Sequence, residues 1–135
     1  MGKKIIALKI LAGELHVDPV EIDDELKTYQ EYVGGCIECC TLDKRWLMIV
    51  NDNGLNEGLP FNELATIVYN AELELDNGSY VPIVGNAIIV GRDGENFTSA
   101  PMDIILYIIR LAELHRTLVN LFAPEDEEAK EELLQ

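Results

Sequence analysis

Apolar and polar positions fall into short alternating runs, followed by one long helical pattern. Residues 4–11 place Ile6, Leu8 and Ile10 against Ala7 and Lys9, and a period of two predicts a strand. Ala12-Gly13 supplies a turn, and residues 14–20 alternate again with Leu15 and Val17 on one face, so the two segments read as a hairpin. A short helix follows. Asp23 and Asp24 are its candidate caps, Leu26, Tyr29 and Val33 recur at helical spacing, and Gly34-Gly35 ends it. Residues 36–42 and 46–51 form a second predicted hairpin about Asp43-Lys44-Arg45. Asn53-Gly54 then reads as a turn, residues 63–70 as a short helical segment and Asn77-Gly78 as another turn. Residues 80–84 and 87–91 read as short strands around Gly85, and residues 92–96 as a polar loop.

The best-defined element is a helix that starts near Thr98 or Ser99, both good caps, with Pro101 in the first turn and Asp103 at its positive end. It runs to about Phe122, where Ala123-Pro124 stops it. Ile104, Ile108, Leu111, Leu118 and Phe122 form one apolar row, and Ile105, Ile109, Ala112 and Val119 a second. Tyr107, Leu114 and Leu121 widen the surface, leaving a narrow polar stripe of Asp103, Arg110, Glu113, Thr117 and Asn120. One sheet needs a single apolar stripe from a covering helix, so the surplus predicts a second partner. The expected fold is therefore α+β: an antiparallel sheet of hairpins packed on a long C-terminal helix, paired through that helix into a homodimer or larger assembly. Residues 1–124 form the one domain, and residues 125–135 an acidic tail.

Composition narrows the function. The chain has 135 residues, enough for one ordinary domain, and 48% of them are apolar, enough for a core. Twenty-five acids against ten bases give a net charge of −15, which argues against binding nucleic-acid backbone or an anionic membrane. No run reaches the roughly 18 apolar residues of a membrane span. The lysine-flanked N-terminal run is interrupted by Lys9 and reads as a strand rather than a leader, so a cytoplasmic protein is expected.

Candidate chemistry is sparse. Cys36, Cys39 and Cys40 are odd in number and crowded, which is no disulfide framework. On a strand Cys39 faces away from Cys36 and Cys40, so they read as buried structural cysteines of the core rather than a zinc site. His16 is expected on an exposed strand face and His115 in the core or interface of the long helix. With no nucleophile elbow, phosphate loop or zinc-helix motif, neither an enzyme nor a cofactor is expected. Against so acidic a ground the few cations stand out. Arg110 and Arg116 on the long helix, with Arg92 in the loop before it, are candidates to hold an anion. Tyr80, Phe97 and Tyr107 are candidates to stack on a base, and Asn62, at a loop–helix junction, to read its edge.

Four stretches carry a resemblance: Val33-Gly34-Gly35-Cys36-Ile37-Glu38, Val50-Asn51-Asp52-Asn53-Gly54-Leu55, Gly58-Leu59-Pro60-Phe61-Asn62 and Ile83-Val84-Gly85-Asn86-Ala87-Ile88-Ile89-Val90-Gly91. Over roughly residues 4–110 the sequence resembles a small bacterial and phage family of unknown function, whose pattern is V-G-G-x-I-E, N-D-x-G, L-P-x-N and V-G-x-A-x-I-V-G. That distribution implies a role in the contest between phage and host. In size and layout the chain also resembles the anti-Thoeris sponge proteins of phages. This likeness implies a helix-mediated dimer that binds a cyclic ADP-ribose isomer, or a cyclic oligonucleotide, and sequesters it without cleavage. The rival expectations are an acidic DNA mimic that occupies restriction-type enzymes and a small structural or regulatory dimer.

Overall fold

The computed structural model describes residues 3–41, 43–73 and 80–122. Its strands are β1 (Lys4–Ile10), β2 (Asp18–Asp23), β3 (Ile37–Thr41), β4 (Trp46–Asn51), β5 (Ala87–Asp93) and β6 (Asn96–Thr98). Its helices are α1 (Leu26–Val33), α2 (Gly54–Glu57), α3 (Glu63–Leu73) and α4 (Met102–Phe122). The strands form one sheet in the order β2-β1-β5-β4-β3, with β6 also paired to β5, and every pairing is antiparallel. This is the α+β architecture that the periodicity predicts. No helix among the described residues is long and apolar enough to cross a membrane.

The alternation of side chains along each strand divides the apolar residues between two cores. Ile5, Ala7, Leu47, Ile49, Ile88 and Val90 pack with Tyr29 and Val33 of α1 on one face. Leu8, Ile10, Trp46, Met48, Val50, Ala87 and Ile89 face α3 and α4 on the other. Helices on both faces explain why all six residues of β4 are buried and why Trp46–Val50 is a continuous apolar run. From α4 the second core receives Ile104, Ile105, Ile108 and Ala112, and full burial of each isoleucine stabilises the fold by about 1.5–3 kcal/mol.

Several expected boundaries move, each for a local reason. The second strand begins at Asp18 rather than Glu14 and pairs Leu8 with Pro19, which an edge strand tolerates. Neither Asp23 nor Asp24 caps α1. Glu25 occupies that position, and Asp24 Oδ1 accepts a 2.6 Å hydrogen bond from the Tyr29 hydroxyl. The helix does end at Gly34, in the left-handed conformation (φ 79°). Asn53-Gly54 opens α2 instead of a hairpin turn, and the expected polar loop at residues 92–96 is the tip of the β5–β6 hairpin. Ser99 does not cap α4, because its Oγ accepts the Ile6 amide at 2.9 Å.

Residues 80–84 form no strand beyond an isolated bridge, Phe61 to Val84. Side chains of α3 satisfy that segment instead. Asn70 exchanges hydrogen bonds of 2.7 and 2.8 Å with the Val81 amide and carbonyl, and Thr66 Oγ1 accepts the Ile83 amide at 2.9 Å. The Asn77-Gly78 turn and the acidic tail at 125–135 lie outside the described residues.

Candidate functional site

The residues singled out as ligand contacts do not converge. Arg92 and Phe97 sit opposite each other in the β5–β6 pairing. Phe97 packs edge-on against Tyr29, with ring centroids 5.2 Å apart, so it belongs to the α1 face of the sheet. Arg110, Arg116 and Tyr107 belong to α4, on the opposite face. Strand parity thus separates Arg92 and Phe97 from the helix with which they were expected to share a corner. The Arg92 guanidinium donates to the Gly94 carbonyl at 3.3 Å within its own hairpin. Tyr80 is exposed, at the start of the segment bound to α3.

Asn62 is also corrected. It is fully buried, and its amide is consumed internally: Nδ2 donates to the carbonyls of Ile10 at 3.0 Å and Gly85 at 2.9 Å, while Oδ1 accepts the Ala65 amide at 3.1 Å. It closes the start of α3 and ties that helix to β1 and to the turn before β5, leaving no donor for a ligand. Arg116 is half-buried, and its Nη1 donates to the Leu15 carbonyl at 2.7 Å, pinning the β1–β2 connection to α4. In that connection His16 Nε2 lies 3.3 Å from Glu14 Oε2 and 3.6 Å from Asp18 Oδ2, an exposed cluster. His115 is mostly buried, as expected, and faces Glu63 of α3 across 3.0 Å.

Arg110 remains open. Its side chain is exposed and forms no hydrogen bond or ion pair with a described residue. Along the outer face of α4 it lies among Leu106, Tyr107, Leu114 and Leu118, at i−4, i−3, i+4 and i+8, and all four are at least 41% exposed. Val119, Leu121 and Phe122 continue the exposed apolar surface toward the helix end. The surplus apolarity of this helix therefore faces outward.

The quoted sequence motifs meet elsewhere. Asn51 Nδ2 donates to the Val33 carbonyl at 3.1 Å and to Glu57 at 3.3 Å, and its Oδ1 accepts the Asn53 amide at 2.8 Å. Gly85 has φ 76°, and a Cβ there would stand 2.8 Å from the Leu59 side chain. A Cβ on Gly54 would stand 2.8 Å from Val84. These close approaches bring α2, the chain before α3 and the chain before β5 into one junction.

Beside it opens a cleft of about 330 Å³ that sequence reading did not anticipate. Its lining includes Val50, Ile83 and Val84, with Tyr69, Cys40, Asn53 and Asn56 around them and Glu38 and Asp52 as its carboxylates. Among the described residues, no lysine, arginine or histidine lines it. Burial pushes the Cys40 thiol up to about 11, helped by the charge of Glu38, so it stays protonated at neutral pH. Burial, then Cys40 and Glu38, likewise raise the Tyr69 phenol. The cysteines are not core residues as expected. Cys36 and Cys39 are exposed and Cys40 is half-buried, because β3 is the outermost strand.

The molecule is thus an α+β protein with a two-faced antiparallel sheet, an acidic cleft and an uncovered helix face. Residues 5–113 match the family described as a domain of unknown function, DUF3846, and the chain belongs to it. No curated protein and no solved structure matches it.

Proposed function

We propose that the protein acts by stoichiometric binding. Two copies pair through the outer face of α4 and hold a cyclic nucleotide signal at their junction, sequestering it in the bacterial cytoplasm as a phage counter-defence protein. The observation that carries this reading is Arg110, open to solvent amid an exposed apolar stripe. A second subunit covering Leu106, Leu114 and Leu118 would also desolvate that guanidinium, which then needs an anion. A phosphate supplies one with matching bidentate geometry, and Tyr107 offers a ring for a base. The cleft suits such a ligand poorly, since Glu38 and Asp52 would repel phosphate and no cation among its described lining residues offsets them.

The test is a calorimetric titration with cyclic ADP-ribose isomers and cyclic di- and trinucleotides. One ligand should bind tightly and be recovered intact after heat denaturation, and Arg110→Ala should abolish binding with the dimer preserved. Silence across the panel from a folded dimer would overturn the reading. A net charge of −15 favours a second one, an acidic mimic of DNA. It predicts competition with DNA for a restriction-type enzyme.

A further inference from the structure

The cleft beside β3 and β4 combines two carboxylates with an apolar floor, and its acids lie together because of strand register. Glu38 pairs with Val50, and the Asp52 amide donates to the Cys36 carbonyl at 3.0 Å, extending the same ladder by one step. Glu38 and Asp52 are therefore diagonal neighbours on one face, with Cβ atoms about 7 Å apart by ladder geometry. Neither carboxylate has a hydrogen-bond or ion-pair partner among the described residues. The nearby amides do not neutralise them. Asn51 is saturated by its own contacts, and Asn56 Nδ2 donates to Asn53 Oδ1 at 2.7 Å.

We infer that this cleft binds an organic cation, an alkylammonium group on an aliphatic stem. The ammonium sits between Glu38 and Asp52, relieving their mutual repulsion with charge-assisted hydrogen bonds. The stem lies along Val50, Ile83 and Val84, where its methylenes leave water. Tyr69 presents an aromatic ring on the same lining, as favourable to a cation as it is indifferent to a carboxylate. A bare divalent ion would use the acids and gain nothing from the apolar floor. The inference is independent of the nucleotide reading, which concerns the other side of α4's packing.

The experiment is calorimetric titration of the full chain with putrescine, spermidine and Nα-acetyl-lysine amide, at low salt and at 0.15 M salt. General attraction of cations to so acidic a protein fades with a Debye length of about 8 Å at that ionic strength, whereas a built site persists. One amine should bind per chain at both salts, about tenfold or more weakly in Glu38→Gln and in Asp52→Asn, and unchanged in the distant Glu113→Gln. Amide shifts should map to Glu38, Asn53, Asn56 and Val81. Preference for the free amines would identify a small metabolite, and preference for the lysine derivative a protein side chain. Binding that vanishes at 0.15 M salt, survives both cleft variants or yields to calcium or magnesium alone would overturn the inference.

Discussion

The junction of the sequence motifs and the outer face of α4 treat their polar groups in opposite ways. At the junction, Asn51 and Asn62 are buried and spend their amides on backbone groups of distant segments. On α4, an arginine without a described partner stands among exposed leucines. A region whose hydrogen bonds close internally holds a shape. One that leaves both apolar area and charge uncovered is where a partner is proposed. The distinctive residues of the sequence are thus scaffold at the junction, whereas the bland leucine-rich helix presents an uncovered apolar surface.

Substitutions can separate the two kinds of region. The largest loss is expected from Asn62→Ala, which removes the side-chain donor to the Ile10 and Gly85 carbonyls and the acceptor of the Ala65 amide in the interior. Unfolding by denaturant should show a loss of about 3 kcal/mol. Gly85→Ala should cost about 2 kcal/mol in the same assay, through its positive φ and the approach of Leu59. Arg116→Ala should cost about 1 kcal/mol and raise amide exchange in the β1–β2 connection, since the Leu15 carbonyl loses its donor. If Arg116 instead serves a ligand, binding will fall with no change in exchange.

On the outer face of α4 the order of effects reverses. Leu114→Glu should change the stability of the fold by no more than about 0.5 kcal/mol, as exposed positions do, yet abolish self-association in sedimentation. A large destabilisation would show that this face is already packed in the single chain. The smallest effect concerns the ion pair joining the β3–β4 turn to the start of α4. Arg45 Nη1 and Nη2 donate to the two carboxylate oxygens of Asp103 at 3.2 and 3.0 Å, and this hydrogen-bonded guanidinium holds the Asp103 carboxyl below its ordinary value. A depressed carboxyl contributes stability above its unfolded-state value and loses it as pH falls through the folded one. The small stability gap between wild type and Asp103→Asn should therefore be present at pH 7 and close below about pH 4.

Much of the fold was legible because its signals are local. A period-two run marked β1, short apolar runs between turn residues marked β3, β4 and β5, and the long apolar pattern marked α4, described from Met102 to Phe122. Residues 80–84 were misread because side chains of Asn70 and Thr66 replace a strand partner, a substitution that hydropathy does not record. Asn62 looked like a reader of ligands because a sequence shows the loop–helix junction but not the carbonyls of Ile10, 52 residues away, and Gly85, 23 away. Arg92 and Phe97 were misplaced for want of the sheet order, which decides the face that each helix covers. The cleft carboxylates left a usable trace. Once residues 36–42 and 46–51 are paired as a hairpin, strand parity alone brings Glu38 and Asp52 to one face.

The central claim is that the outer face of α4 is a subunit interface, and solution mass tests it directly. Sedimentation equilibrium of the full chain at micromolar concentration should give twice the 15.1 kDa of one chain, falling to 15.1 kDa in Leu114→Glu. A wild-type mass of 15.1 kDa throughout that range would contradict the claim, leaving Arg110 an ordinary surface arginine.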